Sequence, residues 1–273
     1  MPTPSRLLTF LDETNGFSIN VFDGRELIAE LAIVHRLQGK GFHYFRDAVL
    51  TALPMISFLK PREGFGLYID SETPYFRLKI EANSSGSMRT LLIPETFTDF
   101  PETIFGQGRL TKTFDTNPYT SIIPLNGVNF KNVINNILKD SYQVQSEIHL
   151  MSNADFSVLI MKLPALNVNK TNNEIGLSLT EYWLQNQIDF NRILSLNLSE
   201  EEILSEMKKK SYQFLIGRDV QFYCPCSRER TILSLKGIKS HSHEDLFEEG
   251  KNTLETHCDY CKKNYIISKD DLS

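Results

Sequence analysis

Cys224-Pro225-Cys226 and Cys258-Asp259-Tyr260-Cys261 hold all four cysteines of the chain, and the 223 residues before them hold none. Four thiols in two tight pairs are what a tetrahedral zinc site takes, with four thiolates around one ion. The second pair has the spacing of a zinc knuckle, while a single residue between thiols, as in the first, is less common. Thiols this close are also well placed to oxidise, either with a neighbour or with other cysteines. Cys224, Cys226, Cys258 and Cys261 are therefore the expected ligands of one zinc per chain, held either as a permanent staple or as a removable pin.

Four thiolates close a zinc site, whereas catalytic zinc keeps a position open for water and recruits His or carboxylate. The chain has no H-x-E followed by P-C-x-x-C, no G-x-S-x-G, no H-E-x-x-H and no P-loop, so no enzyme is expected. Arg228, Arg230, Lys262 and Lys263 follow the pairs closely, as counter-charges to the thiolates or as solvated surface. His257 adjoins Cys258 as a substitute ligand or, with four cysteines at hand, a bystander. His241 and His243 sit in a polar stretch, and His35, His43 and His149 are single.

The composition is that of a globular chain: 41% hydrophobic and 23% charged over 273 residues. No apolar run approaches the roughly 18–20 residues of a membrane span, and the start is too short in apolar residues for a secretory signal. A cytoplasmic, reducing location is expected, which disfavours structural disulfides. Net charge is −5, and residues 218–273 carry 9 Lys/Arg against 10 Asp/Glu. Neither nucleic acid nor an anionic membrane is an expected partner.

The elements that must position the thiols read as α+β: a mixed α/β N-terminal domain (1–166), a helical linker (167–217) and a small zinc-binding domain (218–273). Phe45, Ala48, Val49, Ala52, Leu53, Ile56 and Leu59 recur at helical spacing, interrupted by Pro54. Residues 75–82 alternate as a half-buried strand, and Asn83-Ser84-Ser85-Gly86 is a turn. Phe130, Val133, Ile134, Ile137 and Leu138 mark another amphipathic helix, followed by strand-like runs at 148–151 and 156–163. An asparagine-rich stretch at 167–173 sets the first boundary. Ser178 and Ser199 then open two helices with capping-box spacing. This middle segment has few large apolar residues and is expected to be held by docking. In the last unit, 219–223 reads as a strand, Ser227 caps a helix ending at Gly237, and Ser242 caps another ending at Gly250. Residues 254–257 and 265–267 flank the second pair as a hairpin. At about 55 residues, such a unit is near the lower limit for a free-standing core, so a metal is useful to it.

Phe222-Tyr223-Cys224-Pro225-Cys226-Ser227-Arg228-Glu229-Arg230, with His257-Cys258-Asp259-Tyr260-Cys261 some thirty residues on, strongly resembles the redox-regulated heat-shock chaperone family of the 33 kDa chaperonin. The likeness continues more weakly through the chain, at 26–59, at Gly86-Ser87-Met88-Arg89 and at Met161-Lys162-Leu163-Pro164. It implies an ATP-independent holdase of the stress response, inactive or weakly active when reduced and zinc-bound. Oxidation would join Cys224 with Cys226 and Cys258 with Cys261, and zinc would be released. The small domain and linker would then unfold, uncovering apolar surface for unfolding client proteins, with the activated form a homodimer. The competing expectation is a constitutive zinc-ribbon adaptor without a switch.

Overall fold

The structure is a computed structural model that describes residues 4–37, 39–94, 103–114, 117–151, 154–164, 176–195, 197–241, 246–248 and 250–272. Strands β1 (Ser5–Asp12) and β2 (Phe17–Asp23) lead into helices α1 (Arg25–His35) and α2 (Gly39–Ala52). The helical run then breaks at Pro54, and Leu53–Phe58 continues as a 3-10 segment. Proline at the start of that segment forfeits no intrahelical bond, since an N–H there has no partner to lose. There follow β3 (Gly64–Glu72), β4 (Tyr75–Asn83), β5 (Ser87–Ile93), β6 (Ile104–Thr113), β7 (Tyr119–Val128), α3 (Phe130–Tyr142), β8 (Ser146–Leu150) and β9 (Phe156–Lys162). Helices α4 (Leu179–Ser195) and α5 (Glu200–Lys209) precede β10 (Gln213–Phe222), after which come α6 (Arg228–His241), β11 (Thr253–His257) and β12 (Asn264–Ser268).

The sequence patterns translate into these elements for stated physical reasons. Phe76, Leu78, Ile80 and Ala82 are buried along β4 while Tyr75 and Arg77 face out. The Asn83 side chain accepts from the Ser85 and Ser87 amides, closing the turn into β5. All five expected apolar residues of α3 are buried, and Asn129 caps it through the Asn132 amide. At Ser199 the full capping box forms, with Glu202 returning the bond to the Ser199 amide.

The chain divides into two compact units, 1–222 and 223–273. In the first, ten strands are ordered β7-β6-β3-β4-β5-β10-β1-β2-β9-β8. Strand β10 starts earlier than the 219–223 expected and lies in this sheet, paired with β1, so that 179–222 pack with the N-terminal elements. The asparagine-rich 167–173 stretch lies outside the described residues. Two cores form. Helices α1 to α3 and strands of both half-sheets build the first, with Leu31, Phe45, Val49, Leu53, Leu67, Ile80 and Ile134. The second lies across β1, β2 and β9, where Leu8, Phe10, Phe17, Ile19, Val21, Val158 and Ile160 meet Tyr182, Phe190, Ile193, Leu194, Ile203 and Met207 of α4 and α5. The middle segment thus does what its sparse apolar content implies: its buried residues pack onto a sheet face.

Polar ties fix this cover. Tyr182 Oη donates to Asp12 Oδ2 at 2.8 Å, Arg25 reaches Asn197 Oδ1 and the Leu198 carbonyl, and Lys162 donates to the Leu177 carbonyl. On β8, His149 stacks flat on Trp183 of α4, with ring centroids 3.6 Å apart. Its Nε2 is buried without a hydrogen-bond partner, although Glu147 Oε1 lies 3.4 Å away. Burial, aided by Lys131, pushes the His149 pKa down to about 3. The unfolded chain therefore takes up a proton below about pH 6.5 that the folded chain refuses, so stability present above that pH is lost as pH falls toward 3. Each unit in that window costs about 1.4 kcal/mol. Urea titration of reduced protein, followed by fluorescence of the single tryptophan, is expected to show a loss of about 2 kcal/mol between pH 7 and 5. His149→Phe should abolish this part of the loss, and an unchanged pH dependence would refute the assignment.

In the second unit α6 runs through Gly237 to His241, four residues beyond the expected end, because glycine within a helix weakens it without stopping it. The start of the helix expected at Ser242 lies outside the described residues. Residues 246–248 and Gly250 are not helical. Strands β11 and β12 pair antiparallel from Thr253↔Ser268 to His257↔Asn264, the hairpin expected around the second cysteine pair.

Candidate metal centre

Cys224 and Cys226 lie in the irregular stretch between β10 and α6, Cys258 and Cys261 in the turn from β11 to β12. Ser227 caps α6, its Oγ accepting from the Arg230 amide at 3.2 Å, and Arg230 Nη1 donates to the Pro225 carbonyl at 2.8 Å. The peptide between the first two thiols is thereby fastened to the helix start. In the turn, the Lys262 amide donates to the Cys258 carbonyl at 2.7 Å and the Cys258 amide to the Lys263 carbonyl at 3.0 Å. Lys262 adopts the left-handed conformation (φ 60°) that lets the chain reverse there.

The four sulfurs lie within 4.8 Å of one another. Two contacts run between the pairs, Cys224 to Cys258 at 3.6 Å and Cys226 to Cys261 at 3.2 Å. Tetrahedral zinc with Zn–S bonds of about 2.3 Å spaces its sulfurs by about 3.8 Å. The donor set, its number and its spread fit a closed four-thiolate site. Among the described residues this is the one group of three or more His, Cys, Asp or Glu side chains close enough to share an ion.

Burial pushes the Cys224 thiol up to about 12 and raises Cys261 as well. It also raises Cys226, but hydrogen bonds led by the Tyr265 hydroxyl, 3.0 Å from Cys226 Sγ, outweigh it and bring that thiol down to about 7. Four free thiols this close do not ionise together, and a dication among them is what makes four thiolates compatible.

Tyr265 is the site residue that sequence reasoning missed as such. The sequence marks it only as a hairpin position, and its signal is the β12 alternation that turns Tyr265 and Ile267 inward. The nearby cations are engaged elsewhere: Arg228 pairs with Asp271 and reaches the Ile266 carbonyl, and Lys263 lies over the Tyr265 ring. His257 is exposed, 3.4 Å from Asp259, and outside the sulfur cluster. His35 is buried against Thr90, and His43 is exposed.

The core around the site is small. Phe247, Tyr265, Ile267 and Leu272 are its buried apolar residues, with Cys226, Cys258, Ile232, Leu235, Leu246 and Leu254 packed against them. Helix α6 contributes no fully buried side chain. The thiols therefore form part of the core that they would hold together.

The 33 kDa chaperonin of Bacillus cereus (strain G9842) is 25% identical over 241 residues, 82% of each chain. The 33 kDa chaperonin of Nitrosococcus oceani is 26% identical over 174 residues, 62% of this chain and 57% of that one. The crystal structure of a 33 kDa chaperonin, a heat shock protein 33 homolog from Thermotoga maritima, shares the fold, with a TM-score of 0.73 at 16% identity over 98% of this chain and 96% of that chain. The family model described as Hsp33 protein matches residues 5–268, nearly the whole length, and the chain belongs to the Hsp33 family.

Proposed function

We propose that this protein is a redox-regulated, ATP-independent holdase whose four-cysteine site is the switch and whose second core is the concealed client surface. The observation that carries this reading is the composition of that core. One side is the sheet face of β1, β2 and β9, and the other is supplied by α4 and α5, which have no other core. In the reduced state Cys224, Cys226, Cys258 and Cys261 hold one zinc. Bound there, the ion keeps four thiolates together and contributes its binding energy to folding of the unit.

Oxidation takes two electrons per disulfide, so two equivalents of peroxide consume the four thiolates and remove the ligand set. Four thiols allow three pairings. The pairing proposed is Cys224 with Cys226 and Cys258 with Cys261, and all four sulfurs lie within 4.8 Å of one another. In functional terms residues 1–166 are the client-binding core, 167–217 the linker that conceals it and 218–273 the sensor. The activated form is a homodimer in the cytoplasm, its partners unfolding proteins and not nucleic acid or membranes. Among the described residues no helix is long and apolar enough to cross a membrane.

Light scattering of a heated, unrelated client tests the reading. Oxidised protein is expected to suppress aggregation without ATP, reduced protein to do so poorly, and re-reduction to reverse the gain. A chromogenic chelator should report zinc loss on the same time course, and peptide mapping the two disulfides. Equal suppression in every redox state would remove the switch, and zinc that survives peroxide with no suppression would favour the adaptor.

A further inference from the structure

Strand β10 is held in the sheet differently from β1 and β2. Five of eight side chains are buried in β1 and six of seven in β2, but only Val220 of the ten in β10. Phe214, Leu215 and Ile216 are 42%, 49% and 48% exposed. What holds the strand is chiefly its antiparallel ladder to β1, seven residue pairs from Ser5↔Val220 to Leu11↔Gln213, with a bulge between Thr9 and Phe10. Side-chain ties are few: the Arg6–Asp219 ion pair, Arg218 Nη1 to the Ile56 carbonyl, an edge-on Phe10–Phe214 contact, and Val220 and Phe222 packed into the first core. On the other side β10 meets β5 at two pairs only, Gln221↔Ser87 and Phe222↔Met88.

A main-chain ladder does not depend on the sequence of the strand that makes it, so another extended segment fits the same edge. Both ends of β10 are tied to what oxidation is proposed to loosen. Helix α5 ends four residues before Gln213, and Cys224 follows Phe222 by two. Strand β1, in contrast, stays paired to β2 along seven residues from Arg6↔Asp23 to Asp12↔Phe17. Without β10 it presents a free edge about 27 Å long, and Leu8 and Phe10 beside that edge belong to the face under α4 and α5.

We propose that β10 is a built-in stand-in for client, and that on activation the β1 edge it leaves takes up an extended apolar segment of an unfolded protein by antiparallel strand addition. This rests on the holdase reading above and assigns the client site within it. An extended apolar polypeptide is the occupant because the strand now there carries one, Phe214-Leu215-Ile216, with nearly half of each residue exposed.

The probe is a labelled peptide of residues 213–222, titrated by fluorescence anisotropy into the full-length protein. Oxidised protein is expected to bind it at least about tenfold more tightly than reduced protein. Methylating alternate backbone nitrogens on the edge that faces β1 should cost at least about tenfold, because it removes ladder donors and keeps every side chain. Hydrogen exchange should show β1 amides losing protection on oxidation and regaining it with peptide. A second route avoids oxidation. At Gly86 (φ 82°) an added Cβ would lie 1.7 Å from the Asp219 carbonyl oxygen, so Gly86→Ala should loosen β10 and let reduced, zinc-loaded protein bind the peptide. Aggregation suppression by oxidised protein that binds parent and methylated peptides equally, or whose β1 amides never lose protection, would overturn the strand-addition site and leave the holdase standing. Loss of both peptide binding and suppression would overturn the two together.

Discussion

Chelation of zinc from the reduced protein is expected to unfold residues 223–272 and to leave β1 to β9 folded. Hydrogen exchange with and without a strong chelator, under reducing conditions, is the measurement. Among its described residues the second unit has four buried apolar side chains, two of its four thiols pack among them, and its helix α6 buries nothing fully. The apparent binding energy of a structural zinc is about 10–16 kcal/mol. That matches or exceeds the whole stability of an ordinary domain, about 5–15 kcal/mol, so a unit with so small a core has no reserve to replace it. Ties such as Arg228 to Asp271 and the Asp271 bonds to Ser268 are partly exposed, and screening leaves them small beside the zinc. The first unit contains no cysteine and closes its cores without the site. Cys261→Ser should reproduce the chelator effect, because three thiols leave the set open. Protection of β11 and β12 that survives chelation would mean the hairpin folds by itself and that zinc is no switch.

The site was legible in the sequence because chemistry placed it there. Two cysteine pairs separated by a helix and flanked by a hairpin leave few ways to bring four sulfurs together, and the structure gathers them within 4.8 Å. Elements with strong periodicity were legible too: β4, α3 and the capped starts of α4 and α5 lie where alternation, 3.6-residue spacing and Ser-x-x-Glu put them. What was not legible depended on partners distant in sequence. Strands β1 and β2 are buried on both faces, so their apolar residues do not alternate and no period marks them. In sequence, β10 looks like the opening of the zinc unit because 219–223 runs straight into Cys224. Its pairing with β1, more than 200 residues earlier, is a tertiary fact with no local signature. Tyr265 was hidden for the same reason, since only the folded hairpin brings its hydroxyl to Cys226.

Phe190→Ala should switch the protein on without oxidation. Phe190 is buried in the second core, its ring parallel to those of Trp183 and Tyr212, with centroids 5.9 Å from each. Truncating a buried phenylalanine costs about 3–5 kcal/mol, and here the loss falls on an interface whose other half is a sheet already stabilised by the first core. The segment of α4 and α5 contributes only a handful of buried side chains, Tyr182, Ile193, Leu194, Ile203 and Met207 among them, so one missing ring is a large share of its docking. The expected result is a reduced, fully zinc-loaded protein that suppresses aggregation of a heated client, with α4 and α5 amides exchanging freely while α1 to α3 remain protected. Phe45→Ala provides the contrast. It removes a ring of equal burial from the first core, so it should lower the melting temperature without uncovering the β1–β2–β9 face or conferring activity. If Phe190→Ala freed α4 and the reduced protein still failed to hold clients, the concealed face would not be the client surface. Activity in Phe45→Ala equal to that of Phe190→Ala would attribute chaperoning to general destabilisation instead.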